Sequence, residues 1–232
     1  MKPNIIAVIN QKGGVGKTTT VINLAASLSI LGQNNLVIDL DPQGNATTGL
    51  GKNNSDESKN IYNLLIKKIN LEETIQKTEI KNLDLIGSHV NLSGLEVETA
   101  NDSNRAFVLK EILSAEKNGL LSNYDNIFID CPPSLSLLTI MALVASDELL
   151  VPLQTEFFAL EGITQLMKTI DRIKENLNPS LTIRGILLTM FDKRNKLSSQ
   201  VDEEARNYFK EKVYQTVIQR NVRLSEAPSH GM

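Results

Sequence analysis

Short apolar runs alternate with stretches of helical periodicity along most of the chain. The runs cover residues 5–9, 36–40, 83–86, 127–129, 149–153 and 183–188. They are nearly continuous rather than alternating in polarity, as expected of parallel strands buried on both faces. After the first run, Val21, Leu24, Ala25, Leu28 and Leu31 recur at helical spacing, which predicts a helix that lays one stripe on the sheet and ends near Gly32. A second stripe, Leu160, Ile163, Leu166, Met167, Ile170, Ile173 and Leu177, predicts a helix stopped by Asn178-Pro179. Strands alternating with helices imply right-handed crossovers. The expected fold is therefore α/β, a doubly wound, mostly parallel sheet with helices on both faces. Residues 51–60 are polar and read as an exposed loop, not a domain boundary.

Between the first apolar run and the first helix lies Asn10-Gln11-Lys12-Gly13-Gly14-Val15-Gly16-Lys17-Thr18-Thr19-Thr20. A glycine loop ending in Gly-Lys-Thr, set between a strand and a helix, is a nucleoside-triphosphate cradle. Backbone N–H groups of Gly13, Gly14, Val15, Gly16 and Thr19 are expected to face phosphate oxygens. Lys17 neutralises β/γ-phosphate charge and the Thr18 hydroxyl is a ligand for Mg²⁺. The usual loop begins with glycine where this chain has Gln11, and a second lysine, Lys12, stands ahead of Gly13-Gly14. The loop is thus of a deviant type, with two cations at the phosphate site.

Phosphoryl transfer also needs acids at neighbouring strand ends. The run that closes with Asp39-Leu40-Asp41-Pro42-Gln43-Gly44-Asn45 supplies two. Alternation places Asp39 and Asp41 on one side of a strand. Asp41, nearer the strand's C-terminal end, is the candidate for orienting the attacking water and a water-mediated metal contact, while Asp39 supports the loop or metal-bound water. Asp130 follows residues 127–129 and precedes Cys131-Pro132-Pro133, the Walker B arrangement, in which the carboxylate holds Mg²⁺ through water. The implied cofactors are ATP and Mg²⁺.

Composition narrows the classes. The 232 residues suit one domain, 1–232, with a net charge of −3 and 41% hydrophobic content. No long apolar run and no basic-then-apolar leader is present, so a cytoplasmic protein with no membrane partner is expected. Cys131, the single cysteine, reads as a small buried apolar residue. His89 and His230 fall in loops with no partner pattern and read as surface or turn residues. Charge is uneven: residues 1–159 carry 12 basic and 18 acidic side chains, and residues 160–232 carry 12 and 9. Lys193, Arg194 and Lys196 cluster after one apolar strand, and Arg220 and Arg223 follow another, where they can reach phosphate.

KGGVGKTT at 12–19, DLDPQGNATTGLG at 39–51, DCPPSL at 130–135, ALEG at 159–162 and RNVRLSEAPSHG at 220–231 together resemble the ParA/Soj family of chromosome- and plasmid-partitioning ATPases, in the MinD/SIMIBI group of deviant P-loop proteins. The resemblance implies that Lys12 reaches a partner's nucleotide, so that ATP bridges a homodimer which hydrolysis dissolves. It implies non-specific double-stranded DNA binding, with Arg194 and Arg223 as candidates, a ParB-type centromere-binding protein that stimulates hydrolysis, and nucleoid association. It places the adenine near Met190 and the RNVR segment, with Asn221 as the contact. Two departures are visible: Gln219 stands where relatives have proline, and the closing helix of the family is expected to be missing after Met232. Without a cis arginine finger, unstimulated turnover is expected to be slow.

Two rival classes are weighed against this. A MinD-like membrane-cycling positioning ATPase needs a basic amphipathic C-terminal helix, and residues 213–232 have no such pattern. An iron-protein reductase needs two cysteines per subunit, and a ligase of the same group needs a substrate constellation that the sequence does not display.

Overall fold

The computed structural model describes residues 2–53 and 57–221. In chain order the elements are β1 (Asn4–Val8), α1 (Lys17–Ile30), β2 (Asn35–Asp39), α2 (Asn45–Gly49), α3 (Ile61–Leu65), α4 (Leu71–Thr74), β3 (Gln76–Lys77), β4 (Leu83–Ile86), α5 (Leu95–Glu98), α6 (Val108–Glu116), β5 (Asn126–Asp130), α7 (Leu137–Ala145), β6 (Glu148–Gln154), α8 (Ala159–Asn176), β7 (Thr182–Phe191), α9 (Lys196–Phe209) and β8 (Val213–Gln219). The strands form one sheet in the order β3-β4-β2-β5-β1-β6-β7-β8. Every pairing is parallel except β3 with β4. From β1 the chain works to one edge, returns to β5, and then works to the other edge through β6, β7 and β8. The order therefore reverses around β1 and β5, and the crevice at such a reversal is where open α/β sheets bind ligands.

Side-chain alternation along the strands builds two cores. Ile6, Val8, Val37, Leu85 and Phe128 face α1, whose Val21, Ile22 and Ala25 close that layer. Ile5, Ala7, Ile38, Ile127, Ile129 and Val151 face the opposite layer, which α6, α7, α8 and α9 cover. Helices thus lie on both faces, as the periodicity implies, but the α1 face is the more thinly covered: Leu187 and Tyr214 are only partly buried there.

Several details depart from the sequence reading. Leu31 is not on the buried stripe. It is 78% exposed, because α1 ends at Ile30 and the chain turns away through Gly32, at φ 93°. Leu24 and Leu28 are only partly buried, and Ile22 takes a core position instead. α7 shows no apolar stripe because all its residues but Ile140 are buried, and a helix covered all round has no periodic signature. Asn60, at the end of the polar stretch, is buried and caps α3 by accepting from Asn63 N at 3.0 Å. His89 is buried too. Its Nδ1 accepts from Asn91 N at 3.2 Å at the start of a 3₁₀ turn, so the turn role holds and the surface role does not.

Candidate nucleotide site

The glycine loop spans the C-terminal end of β1 and the start of α1. Gly14 and Gly16 have φ of 75° and 91°, a region that side chains with a Cβ rarely adopt, so glycine is required at both positions. α1 begins without a side-chain cap, and no acid lies in its first turn. Its leading N–H groups and the positive end of its dipole are therefore open to an anion. Three anchors shape the loop. Asn10 Nδ2 donates to Pro152 O at 2.7 Å and Asn10 Oδ1 accepts from Lys12 N at 3.0 Å, tying the loop to β6. Thr189 Oγ1 donates to Val15 O at 2.9 Å, tying it to β7. Lys17 Nζ donates to Lys12 O at 3.1 Å and spans the loop.

The two lysines take different places. Lys17 is buried, and burial lowers its pKa, partly offset by Asp130, the Cys131 sulfur and Asp41. Lys12 points out of the loop, is 53% exposed, and pairs with Glu156 in the turn after β6. An ion pair this exposed contributes only about 0–1 kcal/mol, so it is easily exchanged for a better anion.

Three acids gather at the ends of β2 and β5, and two of them, Asp130 and Asp41, act on Lys17. Asp39 and Asp130 are register partners on β2 and β5, and both are fully buried. Asp39 is engaged structurally: its carboxylate accepts from Thr47 N at 2.7 Å, Thr47 Oγ1 at 2.6 Å and Asp41 N at 3.2 Å. Burial pushes its pKa up to about 6 despite these donors. β2 stops at Asp39, so Asp41 sits in the following turn, beyond the strand whose alternation would fix its direction. There its Oδ1 accepts from Gln43 N at 3.0 Å and its carbonyl accepts from Gly44 N at 2.9 Å and from Ser88 Oγ at 2.5 Å. Thr47 Oγ1 also accepts from Ser88 N at 2.8 Å. Thr47 and Ser88, which the sequence reading did not single out, therefore fasten the Asp41 turn to α2 and to the segment after β4. The Thr47-Thr48 pair that follows an Asp-Pro-Gln-Gly turn is the only sequence signal for them.

Asp130 is different. Neither carboxylate oxygen has a hydrogen-bond partner of normal geometry, although both are buried. Burial and the charge of Asp39 push its pKa well above the usual carboxylate range, while the nearby Thr18 hydroxyl and Lys17 pull it back only in part. A buried unpartnered carboxylate is costly unless a cation completes it. Thr18, Asp130 and Asp41, hard oxygen donors beside a phosphate cradle, fit Mg²⁺. Among the described residues no group of three or more His, Cys, Asp or Glu forms a self-sufficient metal site, so such an ion would draw on phosphate and water oxygens as well. Cys131 is buried, and its thiol is pushed up by burial and by Asp130, which makes it a packing residue and not a nucleophile.

A family model described as an AAA domain matches residues 3–183. The sporulation initiation inhibitor protein Soj of Bacillus subtilis is 51% identical over 98% of this chain and 88% of its own length. The chromosome partitioning protein ParA of Caulobacter vibrioides is 49% identical over 98% and 84%. This chain belongs to the ParA/Soj family of partitioning ATPases. Among solved structures, cobyrinic acid a,c-diamide synthase from Mycobacterium smegmatis with bound ATP analogue and magnesium is similar at a TM-score of 0.87 and 31% identity, covering 99% of this chain and 93% of that one.

The remaining candidates of this ParA/Soj member lie toward the β8 edge. Asn221 is exposed just beyond β8, three strand spacings, roughly 14 Å, from β1. Arg194 is exposed but not unpaired: Nε and Nη2 each donate to Asp192 at 3.0 Å, holding that carboxyl down at about 2. Arg220 also bears on Asp192, and its N donates to Phe191 O at 3.1 Å. The two basic groups read separately in the sequence thus meet at the ends of β7 and β8. Arg223 and His230 lie outside the described residues. No helix among the described residues is long and apolar enough to cross a membrane.

Proposed function

We propose that this ParA/Soj family member is an ATP-gated pairing switch that binds DNA without sequence preference and moves DNA with a ParB-type centromere-binding partner. The observation that carries the reading is the division between the lysines. Lys17 stays with its own cradle, whereas Lys12 leaves it for the surface, where a second copy's triphosphate can take it from Glu156. Gly13, Gly14, Val15, Gly16 and Thr19 bind phosphate through the backbone, and Lys17 neutralises it. Thr18 holds Mg²⁺, with Asp130 and Asp41 reaching it through water; when bound, the ion offsets charge on the β- and γ-phosphate oxygens. Asp41 orients the attacking water from a turn fixed by Asp39, Thr47 and Ser88, and Asn221 lies on the base side. The ATP analogue and magnesium in the Mycobacterium smegmatis structure support this choice of ligands.

The Lys193, Arg194, Lys196 and Arg220 cluster contacts DNA phosphates, and Arg223 is a further candidate from the sequence. Arg194 exchanges Asp192 for phosphate, which makes the binding strongly salt-dependent. Hydrolysis is slow until the partner acts, and the protein is cytoplasmic and nucleoid-associated.

DNA retention with ATP, measured across a salt series, tests this reading. Lys12→Ala should lose ATP-dependent DNA binding at least tenfold while retaining nucleotide, and equal DNA binding in both proteins would refute the cross-dimer role. Asp41→Ala should remain on DNA with unhydrolysed ATP, and unchanged turnover in it would remove Asp41 from the mechanism.

A further inference from the structure

Among the described residues nine large apolar side chains stand in solvent, and three of them flank the glycine loop. Leu135 is 40% exposed on the loop after β5, and Phe157 and Phe158 are 74% and 66% exposed in the turn after β6. The β5 loop lies against the glycine loop, with Pro133 Cβ 3.8 Å from where a Cβ on Gly13 would stand. The β6 turn meets the glycine loop through the Glu156–Lys12 ion pair. By contrast, exposed Ile30 and Leu31 lie at the far end of the sheet, where α1 finishes.

The aromatic pair is displayed on an anchored turn. Thr155 N donates to Thr189 O at 3.3 Å and Thr155 Oγ1 to Ser198 Oγ at 3.2 Å. Ala159 N donates to Glu156 O at 3.0 Å. The two rings stack edge-to-face with centroids 5.0 Å apart. Two large rings on a turn fixed to β7 and α9 lose little freedom on being covered, as suits the centre of an interface. The charges around them are also self-complementary. Lys12 and Glu156 are adjacent on one face, so a two-fold axis beside them can bring each lysine toward an acidic or phosphate group of the other copy.

We propose that Leu135, Phe157 and Phe158 form the apolar anchor by which a second copy of this chain docks over the nucleotide site, and that Glu156 holds Lys12 outward, toward that copy. The inference rests on the pairing reading above and adds the surface that carries it. With no triphosphate opposite, Lys12 stays on Glu156. With one, it transfers, and the flanking rings are buried as the faces close.

Sedimentation velocity with a non-hydrolysable ATP analogue and Mg²⁺ tests this on the parent, on the double variant Phe157→Ser/Phe158→Ser and on Leu135→Ser. The parent should pair and the variants should pair about tenfold or more weakly. Each variant should still bind a fluorescent ATP analogue as a single subunit with parental affinity, which also reports that it is folded. Should the double variant fail that check, Leu135→Ser decides. A parent that pairs alongside a folded variant with an equal pairing constant would overturn the anchor and leave the pairing reading standing. A parent that stays single under saturating analogue would bring down both.

Discussion

Replacing Lys17 with alanine should lower ATP turnover by about 10²- to 10³-fold, the scale for deleting one preorganised charge partner of a transition state. The effect extends to the fold. Lys17 is the buried cation facing Asp130 and Asp41, and its ammonium also bridges to Lys12 O. Its removal takes a positive charge away from the buried Asp130 and Asp41, so the variant should also melt at a lower temperature, by roughly 2–4 °C for each kcal/mol lost. Turnover and thermal melting on the same preparation check both parts. A variant with parental turnover would remove Lys17 from the chemistry.

Asp130→Asn should separate activity from stability in the opposite sense. The Asp130 oxygens are buried beside Asp39 with only the nearby Thr18 hydroxyl and the Lys17 charge to offset them, so the carboxylate is retained at the expense of the fold. Asparagine keeps the shape and removes the charge. The nucleotide-free variant should melt several degrees higher, from relief on the order of 1–3 kcal/mol, while Mg²⁺-dependent turnover drops about 100-fold or more. The same magnitudes predict that saturating ATP and Mg²⁺ raise the melting temperature of the parent more than that of the variant. A variant that melts below the parent without ligand would show that Asp130 is satisfied by contacts of another kind.

The parallel strands were legible because strands buried on both faces are written as continuous apolar runs, and five of the six expected runs match β1, β2, β4, β5 and β6 to within a residue or two. β7 runs on to Phe191 because its far end carries Thr189 and Met190 beyond the apolar stretch, with Met190 at φ 50° where the pairing with β8 is irregular. β3 has two residues and no periodicity to read. The phosphate loop was legible because glycine spacing and Gly-Lys-Thr encode a local shape. The parts of the site held by tertiary contacts were not. Glu156 lies 144 positions from Lys12, Thr189 lies 174 from Val15, and Ser88 lies 47 from Asp41. Each is an ordinary polar residue whose role exists only once β6, β7 and β4 stand beside β1 and β2. The pairing of Arg194 with Asp192 was within reach, since two opposite charges two residues apart in a turn readily close on each other.

The central claim, that each copy lends Lys12 to the nucleotide of the other, is tested most directly by mixing two crippled proteins. Lys12→Ala retains an intact cradle, and Lys17→Ala retains an intact outward lysine. ATP turnover should be recovered when the two are combined, to a level well above the sum of the separate preparations, because a mixed pair contains one complete site. A mixture no faster than that sum would contradict the account.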